Sequence, residues 1–118
     1  MSISLSVGLS GSVAGLNLST DFSSSFDVAG NNAIANIQNI GAVREVLNFG
    51  DIAFPCGVVY VENLSETNTL TLSLDADGVN VIAVIPPGAP PFVSYKMAAA
   101  PFGVFNSADQ SLVIATEL

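Results

Sequence analysis

The chain has 118 residues, 50% apolar and 10% charged, with ten acidic side chains against two basic ones and a net charge of −8. That length suits one domain with one core, and a mean hydropathy of +0.61 leaves less charge than the roughly 25% usual for a lone soluble domain, so part of the surface is expected to be covered by partners. The two cations, Arg44 and Lys96, cannot neutralise a run of phosphates, which excludes direct nucleic-acid binding, and the same acidity disfavours an anionic membrane surface.

Residues 1–32 are rich in Ser, Gly and Asn. Ile3, Leu5, Val7 and Leu9 alternate with Ser and Gly, the period of a half-buried strand. Leu16, Leu18, Phe22 and Phe26 continue the apolar set more loosely. The segment reads as an N-terminal arm with strand potential, ordered against a neighbour, with Ile3, Leu5, Val7, Leu9, Phe22 and Phe26 as its interface residues. No basic leader or continuous apolar run precedes it, so the sequence predicts synthesis and retention in a cytoplasm.

From residue 33 onward the turn signals become regular. Strands are expected over 34–40 and 42–49, separated by Gly41 and closed by Gly50 and Asp51. The run 57–64 is β-branched and nearly all apolar, the pattern of a central strand buried on both faces. Residues 69–75 alternate strictly, with Leu70, Leu72 and Leu74 expected inward. Asp77-Gly78 suits a type I′ hairpin turn, after which 79–85 returns as a strand. Pro86, Pro87, Pro90 and Pro91 predict a rigid, extended crossover, and 92–97, 103–106 and 111–117 complete the series. About eight strands at this spacing, with no helix-period segment, give an all-β single domain: a β-sandwich over 33–118, with jelly roll the preferred topology.

The chemistry is sparse. The chain has no histidine, which removes the commonest general base, the Ser-His and Cys-His pairs and the usual zinc ligand. Cys56 is the only cysteine; it can form no internal disulfide and reads as a small buried thiol. Lys96, within the Phe92-Val-Ser-Tyr-Lys-Met97 stretch, reads as a strand lysine whose stem covers apolar surface. Two carboxylate pairs, Asp75 with Asp77 and Glu62 with Glu66, lie beside turns and read as solvated hairpin acids rather than a glycosidase pair. Asp75, Asp77 and Asn80 superficially match the start of an EF-hand loop, but the twelfth position is Pro86, so calcium at these three is the weaker reading beside a turn capped by Asp. Asn17-Leu-Ser19 and Asn63-Leu-Ser65 match the glycosylation tripeptide by chance. The expectation is a non-enzymatic chain with no cofactor.

The C-terminal half also resembles a pattern in small virion proteins of tailed bacteriophages. The resemblance rests on Val58-Val-Tyr-Val-Glu-Asn63-Leu64, then Leu70-Thr-Leu-Ser-Leu74, then Ile82-Ala-Val-Ile-Pro-Pro-Gly88, then Phe92-Val-Ser-Tyr95 and a closing Leu112-Val-Ile-Ala115. It implies a jelly-roll or Greek-key domain that decorates or cements a capsid, or sits at the tail, often as a homotrimer. The expected partners are copies of the chain itself and a major capsid or other virion protein, and the expected location is the virion. A tail or neck subunit and a carbohydrate-binding sandwich are the alternatives, the latter disfavoured by the absence of tryptophan.

Overall fold

A computed structural model describes residues 2–27 and 30–118 and, among them, contains ten β-strands and no helix. β1 (Ser2–Val13) and β2 (Leu16–Asp27) pair with each other as an antiparallel hairpin. The others are β3 (Ala33–Ile40), β4 (Glu45–Val46), β5 (Val58–Asn63), β6 (Leu70–Ser73), β7 (Val81–Ile85), β8 (Phe92–Tyr95), β9 (Phe102–Phe105) and β10 (Asp109–Thr116). These eight form two four-stranded antiparallel sheets, ordered β3-β10-β5-β8 and β4-β9-β6-β7. Only the β6–β7 connection stays within one sheet; every other link from β3 onward crosses to the opposite sheet. That is the strand order of a jelly roll. The all-β sandwich read from the turn spacing is therefore the fold.

Alternation builds the core. Ile40, Val59, Val61, Val113 and Ala115 point inward from the first sheet and meet Leu70, Leu72, Ile85 and Phe105 from the second, all fully buried. Leu47, Phe49, Ile52 and Cys56 close one side from the long segment between β4 and β5. A Cβ at Gly103 would stand 2.9 Å from Leu47 Cδ2 and 3.5 Å from both Ile40 and Leu70, so glycine there lets the two sheets approach.

Several local expectations are corrected. The strand expected over 42–49 shrinks to Glu45–Val46. Its remaining polar groups are taken by side chain and loop: Gln38 accepts from the Asn48 N–H at 2.8 Å, and the Leu47 N–H donates to the Pro101 carbonyl. Leu74, expected inward, is 53% exposed while Ser73 is buried, because the β6–β7 register shifts between Leu72 and Ser73 and reverses the alternation beyond it. The buried Ser73 hydroxyl donates to the Asp75 carbonyl at 2.8 Å.

The turn at residues 75–78 is not type I′. That type needs positive φ at both Ala76 and Asp77, whereas only Gly78, at +72°, has it. The proline-rich crossover contains a tight turn, Ala89 N–H to Pro86 carbonyl, with Gly88 at φ +76° after Pro87, the pattern of type II. β5 is deeply buried on its inner face alone; Val58, Tyr60 and Glu62 on the other face are half-buried, because the roof over them is partial. Lys96 lies just past β8 rather than within it, with φ +57° and its N–H donating to the Gly57 carbonyl.

Candidate interaction surface

The hairpin is amphipathic along its whole length. Twelve residue pairs run without interruption from Ser2↔Asp27 to Val13↔Leu16. Ala14 and Gly15 form the two-residue turn, with φ of +51° and +80°, the positive-φ pair that a type I′ turn requires. Period-2 geometry then places Ile3, Leu5, Val7 and Leu9 on one face with Leu16, Leu18 and Phe22. The opposite face carries only Ser2, Ser4, Ser6, Gly8, Ser10, Ser12, Asn17, Ser19, Asp21, Ser23, Ser25 and Asp27. The apolar character of β2 was legible in the sequence, but its exact phase against β1 was not, because the Ala14-Gly15 turn is an unusual pair for a tight hairpin.

The base of this hairpin roofs the outer face of the sheet β3-β10-β5-β8. Between the two lies a half-open cavity of about 790 Å³. Ile3, Leu5, Val7 and Phe22 line it from above; Val58, Tyr60, Val93, Tyr95 and Ile114 form its floor and wall. Its lining contains no charged side chain. On the floor, the Tyr60 hydroxyl donates at 2.5 Å to Oε1 of Glu62, which is not a lining residue, and that bond, together with burial and the carboxylate charge, pushes the phenol up to about 12. The chain leaving the hairpin is laid against the C-terminus, where Gly30 N–H donates to the Leu118 carbonyl and Glu117 N–H to the Asn32 carbonyl.

Of the expected interface residues, the structure brings Ile3, Leu5, Val7 and Phe22 together around one cavity. Leu9 shares their face but lies beyond the cavity, 56% exposed; the side chain of Phe26 is outside the described part of the structure. Floor residues such as Tyr60, Val93 and Ile114 were not singled out from the sequence, since each looked like an ordinary strand position. The opposite sheet also presents apolar side chains outward, with Val46, Val81 and Val84 exposed.

Cys56 is fully buried, and burial pushes its thiol up, away from the thiolate. Lys96 Nζ lies 5.4 Å from the centre of the Tyr95 ring, at the edge of the cavity. Asp75 and Asn80 meet, but through Asn80 Nδ2 donating to the carboxylate at 2.7 Å; Val79 and Asn80 N–H groups donate to the same carboxylate. Burial raises the Asp75 carboxyl, and these donors outweigh it and hold the group below its ordinary value. Asp75 thus closes its own loop with N–H donors, while Asp77 is exposed. Among the described residues, no group of three or more His, Cys, Asp or Glu side chains is arranged to hold a metal ion.

Comparison with protein-family models, with curated proteins and with solved structures finds no match to this chain.

Proposed function

We propose that this chain is a non-enzymatic structural subunit of a viral particle, a capsid decoration (cement) protein that stabilises capsomer contacts by protein–protein packing. One observation carries the reading: an amphipathic hairpin projects from a jelly roll and leaves the apolar face of its tip exposed, with Leu9, Leu16 and Leu18 uncovered by its own chain. A cementing subunit requires spread apolar and backbone contact rather than a reactive centre. The fully buried cysteine, the absence of histidine and the self-satisfied carboxylates are consistent with that requirement. The apolar outer face of the second sheet offers a further surface for a capsid protein. The partners under this reading are other copies of the chain, as a homotrimer, and the major capsid protein.

Mass spectrometry and electron cryomicroscopy of particles purified from cells that produce the chain test the reading. The expected result is stoichiometric presence with density at capsomer joints. Density at the tail or neck would move the subunit to that site. A stable monomer that neither enters nor stabilises any particle overturns the proposal.

A further inference from the structure

The hairpin joins no ladder with either sheet of the sandwich, and a two-stranded hairpin is marginal in water without a surface to pack on. Its seat on the first sheet is shallow. Ile3 and Leu5 at the base are half-buried, whereas Val7 and Phe22 stay 55% and 57% exposed over the same groove. So thin an apolar contact leaves the angle of a ladder of twelve pairs to be set elsewhere.

The residues just before β3 set it. Gly30 and Asn32 lie alongside Glu117 and Leu118, where the β3–β10 ladder runs on past its last pair, Thr116↔Ala33. Gly30 N–H donates to the Leu118 carbonyl at 3.1 Å, and Glu117 N–H donates to the Asn32 carbonyl at 2.8 Å. The Glu117 side chain folds back over this strap, and its Oε2 accepts from the Asn32 N–H at 3.2 Å. Glycine makes room for that fold-back. A Cβ at Gly30 would stand 2.6 Å from both Cβ and Cγ of Glu117 and 2.7 Å from its Cδ, so something would have to shift. Gly30 is not among the glycines with positive φ, so the need there is for space alone.

We propose that Gly30, Asn32, Glu117 and Leu118 form a latch that fixes the hairpin over the outer face of the first sheet, and that the hairpin swings as one body when the latch opens. Asn32, Glu117 and Leu118 are exposed, and a hydrogen bond formed in competition with water contributes little net stability, so the latch releases far more easily than the core unfolds. The hairpin keeps its own ladder in either position, since none of its twelve pairs involves a latch residue. Opening uncovers Val58, Tyr60 and Ile114 and leaves the core intact, because these three face outward. The device belongs to the single chain and stands whatever the chain assembles with.

Distances between nitroxides on Ser12→Cys, near the hairpin turn, and Ser107→Cys, between β9 and β10, test the latch in the full chain. Both positions are exposed, and Cys56 is fully buried, away from the label. With the latch residues unchanged, one narrow distance is expected. Gly30→Ala, which drives a Cβ into Glu117, is expected to broaden it and to raise the open population about tenfold, the factor supplied by losing one or two net hydrogen bonds. Acrylamide quenching of tyrosine emission should rise in parallel, because both tyrosines line the groove and the chain has no tryptophan. Thermal melting of the sandwich should shift little. Adding Glu117→Gly to Gly30→Ala is expected to narrow the distance again, since the clash is gone and the backbone bonds re-form.

A broad distance with the latch residues unchanged, or a distance unmoved by Gly30→Ala, overturns the inference. So does a combined variant that stays as open as Gly30→Ala alone, because the effect would then be a general loss at residue 30. Should Gly30→Ala unfold the sandwich, Glu117→Pro decides. It removes the Glu117 N–H donor and the carboxylate together, and a distance that stays narrow in that variant overturns the latch.

Discussion

The Asn63 amide is buried where the β5–β6 loop meets the end of β7. Its Nδ2 donates to the Asn68 and Ile85 carbonyls, both at 2.8 Å, and its Oδ1 accepts from the Ser65 N–H at 2.8 Å. Removing it takes a buried partner from two carbonyls and one N–H, so Asn63→Ala is expected to cost about 2–4 kcal/mol in urea unfolding. Tyr60 gives a second residue-scale expectation. Its phenol, ordinarily near 10, is pushed up to about 12 in the folded chain. The folded state therefore holds this proton more tightly than the unfolded state, and the stability it adds is complete below pH 10 and lost as pH rises towards 12. Absorbance titration of the tyrosinate should show the late transition, and Glu62→Gln should move it back down, because the negative charge is removed and the remaining amide oxygen is a weaker acceptor than the carboxylate.

At the scale of elements, the hairpin and the sandwich are separable in energetic terms. Among the described side chains, every fully buried apolar residue lies at Ile40 or beyond, so none from the hairpin belongs to the core. A chain lacking residues 1–27 is expected to melt within a few degrees of the full chain, with stronger binding of an apolar dye to the uncovered Val58, Tyr60 and Ile114 face. A collapse of thermal stability would show instead that the roof is part of the fold. The elements also show what pattern reading can reach. Strict alternation located β6, but the bulge after Leu72 turned Leu74 outward, a change set by β7 pairing and invisible in β6 itself. The same holds for the expected strand over 42–49. Its apolar residues Leu47 and Phe49 are indeed buried, yet they reach the core from irregular backbone because Gln38 and Pro101 take its hydrogen-bonding groups.

For the whole molecule, acidity sets the response to pH. Ser65 and Asn68 side chains, with the Gln110 N–H, hold the Asp109 carboxyl below its ordinary value, and the donors around Asp75 do the same there. A carboxyl depressed in the folded state adds stability above its unfolded pKa, which is lost as pH falls through the folded value. The urea midpoint is therefore expected to stay level from neutral pH down to about 5 and to fall below about 4, the ordinary carboxylate range. Asp109→Asn should weaken that acid limb, because the titrating group is gone. A midpoint that rises on acidification would mean that relief of the −8 self-repulsion outweighs both carboxylates.

The sequence by itself determined the fold class, the amphipathic arm and the poverty of reactive groups. Each of these is written in local terms: period-2 alternation, turn residues at regular spacing, and a composition with no histidine, one lysine and one cysteine. It also marked Ile3, Leu5, Val7 and Phe22 as surface-seeking residues, since apolar side chains alternating with serine must find cover. Tertiary structure alone decided the jelly-roll order, the reversal at Leu74 and the cavity over Val58, Tyr60 and Val93. Those depend on which distant strand lies alongside, and a strand's own alternation says that one face will be buried without saying against what.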